Sequence, residues 1–219
     1  MGYDGVIFDF DGVLIDSGSD GFGWAHRARE ERARELGHDI EGSKYQFVFM
    51  ADTLKELKQM VDDSDLSWDE YREAEMAVSR RKAEMVKNGE MKLFSATEAV
   101  LEQLEVPASI VSNAYGDAVD EIVRYLGLDS NLESWTAPRI EELERYPQLM
   151  KPNTPMLEEA VEKMRASNPV MVGDSVVDVQ AAENLGIESV LIDRYGFGDG
   201  AEPTHHISSL NELEAVISS

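Results

Sequence analysis

The sequence contains no cysteine. A disulfide framework and a thiolate metal site are therefore both excluded. Positive charge is scarce too: Lys and Arg total 20 against 44 Asp and Glu, a formal net charge of −24. Only 8 of those basic residues are lysine. A surface of this sign repels nucleic acid and anionic lipid, so neither is expected as a partner. Long apolar runs are also missing, and nothing approaches the length of a membrane span. Met1–Asp16 lacks the basic start and long apolar stretch of a secretion signal. A cytoplasmic protein is expected. The acids are spread along the whole chain rather than gathered in a tail. That distribution predicts a solvated acidic surface, of the kind that keeps a halophilic protein soluble in concentrated salt.

With 219 residues, 42% of them hydrophobic, the chain can form one large domain or one domain with an insert. Short apolar runs alternate with helical stretches. Strands are expected at Val6–Phe8, Ser109–Val111, Val170–Val172 and Ser189–Ile192. Helices are expected at Ala96–Leu104, Asp117–Leu126, Thr154–Met164 and Val176–Leu185, with Gly127 and Gly186 ending the second and fourth. This alternation predicts an α/β fold with a parallel sheet. The rhythm breaks between Ser17 and about Met91. There Trp24–Leu36, Asp52–Met60 and Trp68–Val86 read as helices with no strand among them. The expected organisation is a core of residues 1–16 and 92–219 with a helical lobe, 17–91, inserted. The glycine-bearing junctions at Gly18–Gly23 and Asn88–Glu90 are either the hinges of a lid or rigid connections.

The first strand runs straight into Asp9-Phe10-Asp11-Gly12-Val13-Leu14. Two acids at the end of a buried strand repel each other and lose water. A hard cation such as Mg2+ resolves that conflict. One carboxylate can then attack an electrophile while the other moves a proton. Gly12 lets the backbone approach a bound anion. In a parallel sheet, ligands bind beyond the carboxyl ends of the strands. Ser112-Asn113 and Gly173-Asp174-Ser175, with Asp178 four residues beyond Asp174, fall at two more such ends. Lys151-Pro152 precedes another helix, with Pro152 expected in its first turn. The carboxylates suit Mg2+, whereas Lys151, Ser112 and the amides around Asn113 suit phosphate. Each fragment alone has a plain reading: Asp11-Gly12 as a turn, Ser112-Asn113 and Ser175 as helix caps, Lys151 as a solvated lysine. Their ordered conjunction points instead to metal-assisted phosphoryl transfer.

This motif set resembles that of the haloacid dehalogenase superfamily, and the insert resembles the helical cap of its phosphoglycolate phosphatase and β-phosphoglucomutase type. The resemblance implies a Rossmann-like parallel-sheet core with an inserted cap. It implies that Asp9 is a nucleophile forming an aspartyl-phosphate and that Asp11 is the acid and base. Ser112 would hold the phosphoryl group, with Gly12 and Asn113 beside it, and Lys151 would steady its charge. Mg2+ would be bound by Asp9, the backbone carbonyl of Asp11, and Asp174, with Asp178 assisting directly or through water. Dehalogenases of the superfamily lack an acid at the place of Asp11, so its presence favours phosphate chemistry. One departure is the spacing Lys151-Pro152-Asn153-Thr154-Pro155, a residue longer than the family's Lys-Pro-x-Pro. The implied activity is a phosphatase acting on a small phosphorylated metabolite, as a monomer or homodimer. A phosphomutase shares every motif, and a non-catalytic phosphate-binding or regulatory protein on the same fold is a third reading. Outside the motifs, Phe22 and Trp24 either line a pocket or pack a hinge. Arg80-Arg81-Lys82 either attracts an anionic substrate or forms a solvated helix face, and His205-His206 reads as surface or packing.

Overall fold

A computed structural model describes residues 2–218. Six parallel strands form a single sheet: β1 (Gly5–Phe8), β2 (Ala108–Val111), β3 (Ser134–Thr136), β4 (Pro169–Gly173), β5 (Glu188–Leu191) and β6 (His205–His206). Their spatial order is β3-β2-β1-β4-β5-β6. This is the doubly wound, Rossmann-like order, whose direction reverses beside β1 and so opens a crevice at the carboxyl ends there.

Apart from Ser109 the central strands are apolar, and they are buried on both faces, so helices must cover both. Side chains alternate across the sheet. Ile7, Val111 and Met171 point to one face, where they meet Leu157 and Ala160 of α8 (Pro155–Met164) and Ala181 and Ala182 of α9 (Val176–Leu185). Val6, Phe8, Ile110, Val170 and Val172 point to the other. There they join Leu101 of α5 (Thr97–Gln103), Val119 and Ile122 of α6 (Gly116–Tyr125) and Leu213 of α10 (Leu213–Ile217). The short α7 (Tyr146–Leu149) precedes α8.

Between β1 and α5 lie α1 (Gly23–Glu35), α2 (Phe47–Met50), α3 (Leu54–Asp62) and α4 (Trp68–Lys87). Among the described residues, 17–91 contain no strand. The chain leaves and re-enters the core side by side, with the Asp16 N–H donating to the Lys92 carbonyl at 2.9 Å. Capping boxes start α3 at Thr53 with Glu56 and α4 at Ser67 with Glu70. The Thr53 cap is why α3 begins at Leu54 rather than at Asp52. Along α4 the buried residues include Tyr71, Glu75, Val78, Lys82 and Val86, a stripe at the helical period. Two of the five are charged, and each has a partner described below. No described helix is long and apolar enough to cross a membrane.

Candidate functional site

The register of the sheet brings three strand ends to one level: Phe8 pairs with Ile110 and with Val172. Asp9 follows Phe8, and Ser112 and Asp174 follow one residue further on, after Val111 and Gly173. Asp9 extends its ladder, its N–H donating to the Val172 carbonyl at 2.8 Å, and Ser112 does likewise to the Thr136 carbonyl at 3.1 Å.

Lys151 reaches this level from the turn between α7 and α8. The helix starts at Pro155, not at Pro152, so Lys151 is not at a helix mouth. The longer Lys151–Pro155 spacing is taken up by that turn, where the Asn153 carboxamide donates to the carbonyls of Pro147 and Met150, both at 3.1 Å. The buried Lys151 ammonium donates to Asp9 Oδ1 at 2.8 Å, Asp178 Oδ1 at 2.6 Å and the Val111 carbonyl at 2.9 Å. Those are all the donors an ammonium has.

Asn113 is drawn into holding the same lysine. Its Oδ1 accepts from the Lys151 N–H at 2.8 Å and its Nδ2 donates to the Lys151 carbonyl at 2.9 Å. Its carboxamide is therefore a clamp on the Lys151 backbone. Ser112 is not a helix cap either. Its Oγ accepts from the Ala114 N–H at 3.0 Å, which leaves the hydroxyl hydrogen available to a ligand.

Ser175 caps α9, with Asp178 in the first turn completing the capping box. Asp178 Oδ2 accepts from the N–H groups of Asp174 and Ser175 at 3.2 and 3.1 Å and from Ser175 Oγ at 2.6 Å. With Oδ1 on Lys151, both its oxygens are engaged. Gly173 permits this, because a Cβ there would lie 2.1 Å from Asp178 Cβ. Gly12 makes room for Asp174. Its φ is +74° and a Cβ would lie 1.9 Å from Asp174 Oδ2, so only glycine fits.

Carboxylate oxygens of Asp9, Asp174 and Asp178 all lie within 4.8 Å of one another. Burial pushes Asp9 up to about 7 against the pull of Lys151, with Asp178 and Asp11 adding to the push. Burial, then Asp9 and Asp178, pushes Asp174 up to about 8. Burial alone would lower Lys151, but Asp178 and Asp9 more than reverse it and hold it above the ordinary lysine value. One ammonium thus faces three buried acids, and the site carries excess negative charge. A hard divalent cation fits that donor set and that imbalance. Asp9 and Asp174 have oxygens to offer it. Asp178 serves mainly to fix Lys151 and the turn at Ser175.

Asp11 stands apart from this cluster, on the side facing α4. Lys82 of α4 lies 2.6 Å from its carboxylate and 5.1 Å above the Phe10 ring. Lys82 is buried, so this part of the basic run is not a solvated face. Arg81 does behave as one, pairing with Glu90 at 2.8 Å with both side chains partly exposed. The signal for Lys82 was its phase on α4, four residues after Val78 and four before Val86. Arg194 had no such signal: it stacks 3.7 Å over Phe94 and donates to the carbonyls of Gly12 and Val13 at 2.8 and 2.9 Å, which steadies the loop after Asp11.

Between the strand ends and helices α1 and α4 lies a cavity of ≈ 260 Å³ that Asp9, Asp11 and Ser112 line from one side. Phe22 and Trp24 line it from the other. They also pack the junction: Trp24 Nε1 donates to the Ser17 carbonyl at 2.9 Å, and Phe22 stacks on Phe197 at 6.0 Å.

The chain is similar to several solved structures. CbbY from Rhodobacter sphaeroides, in complex with xylulose-(1,5)bisphosphate, matches at TM-score 0.72 and 16% identity over 98% of this chain and 99% of that one. A predicted phosphoglycolate phosphatase from Haemophilus somnus matches at 0.70 and 18%, covering 98% and 97%. A phosphatase from Thermococcus onnurineus matches at 0.66 and 20%, covering 97% of each. At such identities the likeness concerns the fold. No curated protein matches the sequence significantly. The model of the haloacid dehalogenase-like hydrolases matches residues 6–192, a span that takes in every motif residue above. The chain belongs to the haloacid dehalogenase-like hydrolases.

Proposed function

We propose that the protein is a Mg2+-dependent phosphatase that hydrolyses a small phosphate monoester through a phosphorylated Asp9. The observation that carries this reading is that two carboxylates line one cavity under different guardians. Asp9 is tied to the core through Lys151 at 2.8 Å, and Asp11 is tied to the insert through Lys82 at 2.6 Å. In the first step Asp9 attacks phosphorus while Asp11 gives its proton to the departing ester oxygen. In the second, Asp11 takes a proton from water, whose oxygen attacks the phosphoryl group and frees Asp9 and inorganic phosphate. The Ser112 hydroxyl donates to a phosphoryl oxygen. Lys151 keeps Asp9 beside it and offsets negative charge as the phosphoryl group approaches. Bound Mg2+ supplies Lewis-acid neutralisation of that charge, with Asp9 and Asp174 as its carboxylate ligands. The fold shared with phosphatases supports the reading, as does an acid at position 11.

The test is hydrolysis of p-nitrophenyl phosphate and a broad panel of phosphate monoesters with Mg2+, wild type against Asp9→Asn. Wild type silent on the whole panel would favour a non-catalytic binding protein.

Metal binding has its own signature. Protons and Mg2+ compete for Asp9 and Asp174, so Mg2+ should raise the melting temperature more at pH 8 than at pH 5. At about 100 times Kd the stabilisation is ~2.7 kcal/mol, or roughly 5–10 °C for a chain of this size. A rise that is equal at both pH values would remove these two acids as the ligands.

Lys82 should matter to turnover rather than to binding. Lys82→Met frees Asp11 to swing, and a misplaced acid loses about 10- to 100-fold in kcat with KM little changed. Steady-state kinetics check this, and a kcat within about twofold of wild type would mean that Asp11 needs no anchor from the insert.

A further inference from the structure

The walls of the cavity carry information about the leaving group. Two cations line it, Arg29 and Lys82, and neither is free. Arg29, 1% exposed, donates through Nε and Nη2 to the two oxygens of Glu75 at 2.6 and 2.9 Å, and through Nη1 to the Gly42 carbonyl at 3.1 Å. Glu75, itself 0% exposed, also accepts from the Tyr115 hydroxyl. Lys82 is held by Asp11. Lys151, with Asp9 and Asp178 on its ammonium, is no more available. A second anionic group on the substrate would therefore lose its water, find Arg29 and Lys151 already paired, and reach Lys82 only in competition with Asp11. The net charge of −24 opposes it further.

Apolar surface is what the wall does offer. Phe22, Trp24, Phe49 and Tyr115 all line the cavity. Phe49, on the four-residue α2, is 46% exposed although large and aromatic, and its ring meets that of Tyr115 edge-on at 6.1 Å. A half-exposed ring that lines a small cavity has surface left to stack on a ligand.

Resting on the phosphatase reading, we propose that the substrate is a phosphate monoester of an uncharged alcohol with an apolar or flat face. A monoester that bears a carboxylate or a second phosphate is disfavoured.

Matched pairs test this. Phenyl phosphate is set against 4-carboxyphenyl phosphate, and the amide of phosphoglycolate against phosphoglycolate, all with Mg2+. The neutral member of each pair is expected to have a kcat/KM about tenfold higher or more. Preference for the charged member of both pairs would overturn the inference and leave the phosphatase reading intact. Phosphate release from none of the four, nor from p-nitrophenyl phosphate, would remove the phosphatase reading and the inference with it. Phe49→Ala gives a second readout, since the side chain is too exposed for its loss to threaten folding. KM for phenyl phosphate should rise about five- to tenfold, while inhibition by inorganic phosphate stays the same. An unchanged KM would remove Phe49 from the recognition of the leaving group.

Discussion

Asp9→Asn should abolish phosphate release, with kcat lower by about 10⁴-fold or more, and should at the same time make the protein more stable. The first effect follows from chemistry: a carboxamide is a poor nucleophile, and nothing else at the end of β1 can replace it. The second follows from burial. With its value pushed from 3.8 to about 7, Asp9 holds its proton more tightly in the folded state than in the unfolded one. Folding stability therefore declines as pH rises from about 4 to about 7, because the folded state must give up a proton that the unfolded state has already lost. An uncharged asparagine escapes that penalty. Lys151 keeps Asp178 as a partner at 2.6 Å, so the substitution strands no cation. In chelator at pH 8 the gain should be roughly 2–4 kcal/mol, several degrees in melting temperature, and it should shrink toward pH 4. Activity is followed by phosphate release and stability by thermal melts across that pH range. Activity within tenfold of wild type would remove Asp9 as the nucleophile. A melting temperature equal to or below wild type at pH 8 would mean that the acids do not strain the fold.

Mutational effects of this kind can be framed from sequence only where a residue's surroundings are legible there. β1, β2, β4 and β5 were legible because strands buried on both faces are written as apolar runs. β3 and β6 were not. Ser134-Trp135-Thr136 and His205-His206 carry no such run and are strands only because β2 and β5 offer them an edge to pair with. The acids at the strand ends were legible because an acid directly after an apolar strand has no structural advantage. What Asn113 does was not, since its clamp on Lys151 joins residues 38 positions apart. Lys82 lies between these cases. Its neighbours Arg80 and Arg81 suggested a charged face, while the period of α4 assigned it to the buried one. Helical phase was the better guide, and Glu75, buried on the same stripe, makes the same point through its pair with Arg29. Tertiary partners explain how both charges can be buried at all: each is matched by an opposite charge within 2.6 Å.

Lys151→Met removes the one cation from among the three buried acids and should damage folding and turnover together. Methionine fills much of the same volume, so the loss is one of charge rather than of packing. Asp9 and Asp178 would be left facing each other without the ammonium that bonds both at 2.8 and 2.6 Å, and the Val111 carbonyl would lose its donor. Stripping one partner from a buried ion pair typically destabilises by about 3–5 kcal/mol, here roughly 6–20 °C in melting temperature. The pH dependence gives the mechanism away. Lys151 now pulls the proton affinity of Asp9 down. Without it, the folded state holds acid protons to higher pH than the wild type does, so the variant's deficit should widen as pH climbs from 5 to 8 and narrow in acid. Mg2+ at saturating concentration should recover part of the stability by replacing the missing positive charge, but not the rate, since no ammonium then offsets the charge of the incoming phosphoryl group. Thermal melts at pH 5 and pH 8, with and without Mg2+, read out the first part, and kcat reads out the second. A deficit that is the same at both pH values would mean that Lys151 contributes packing, not charge, and would separate it from the acids it touches.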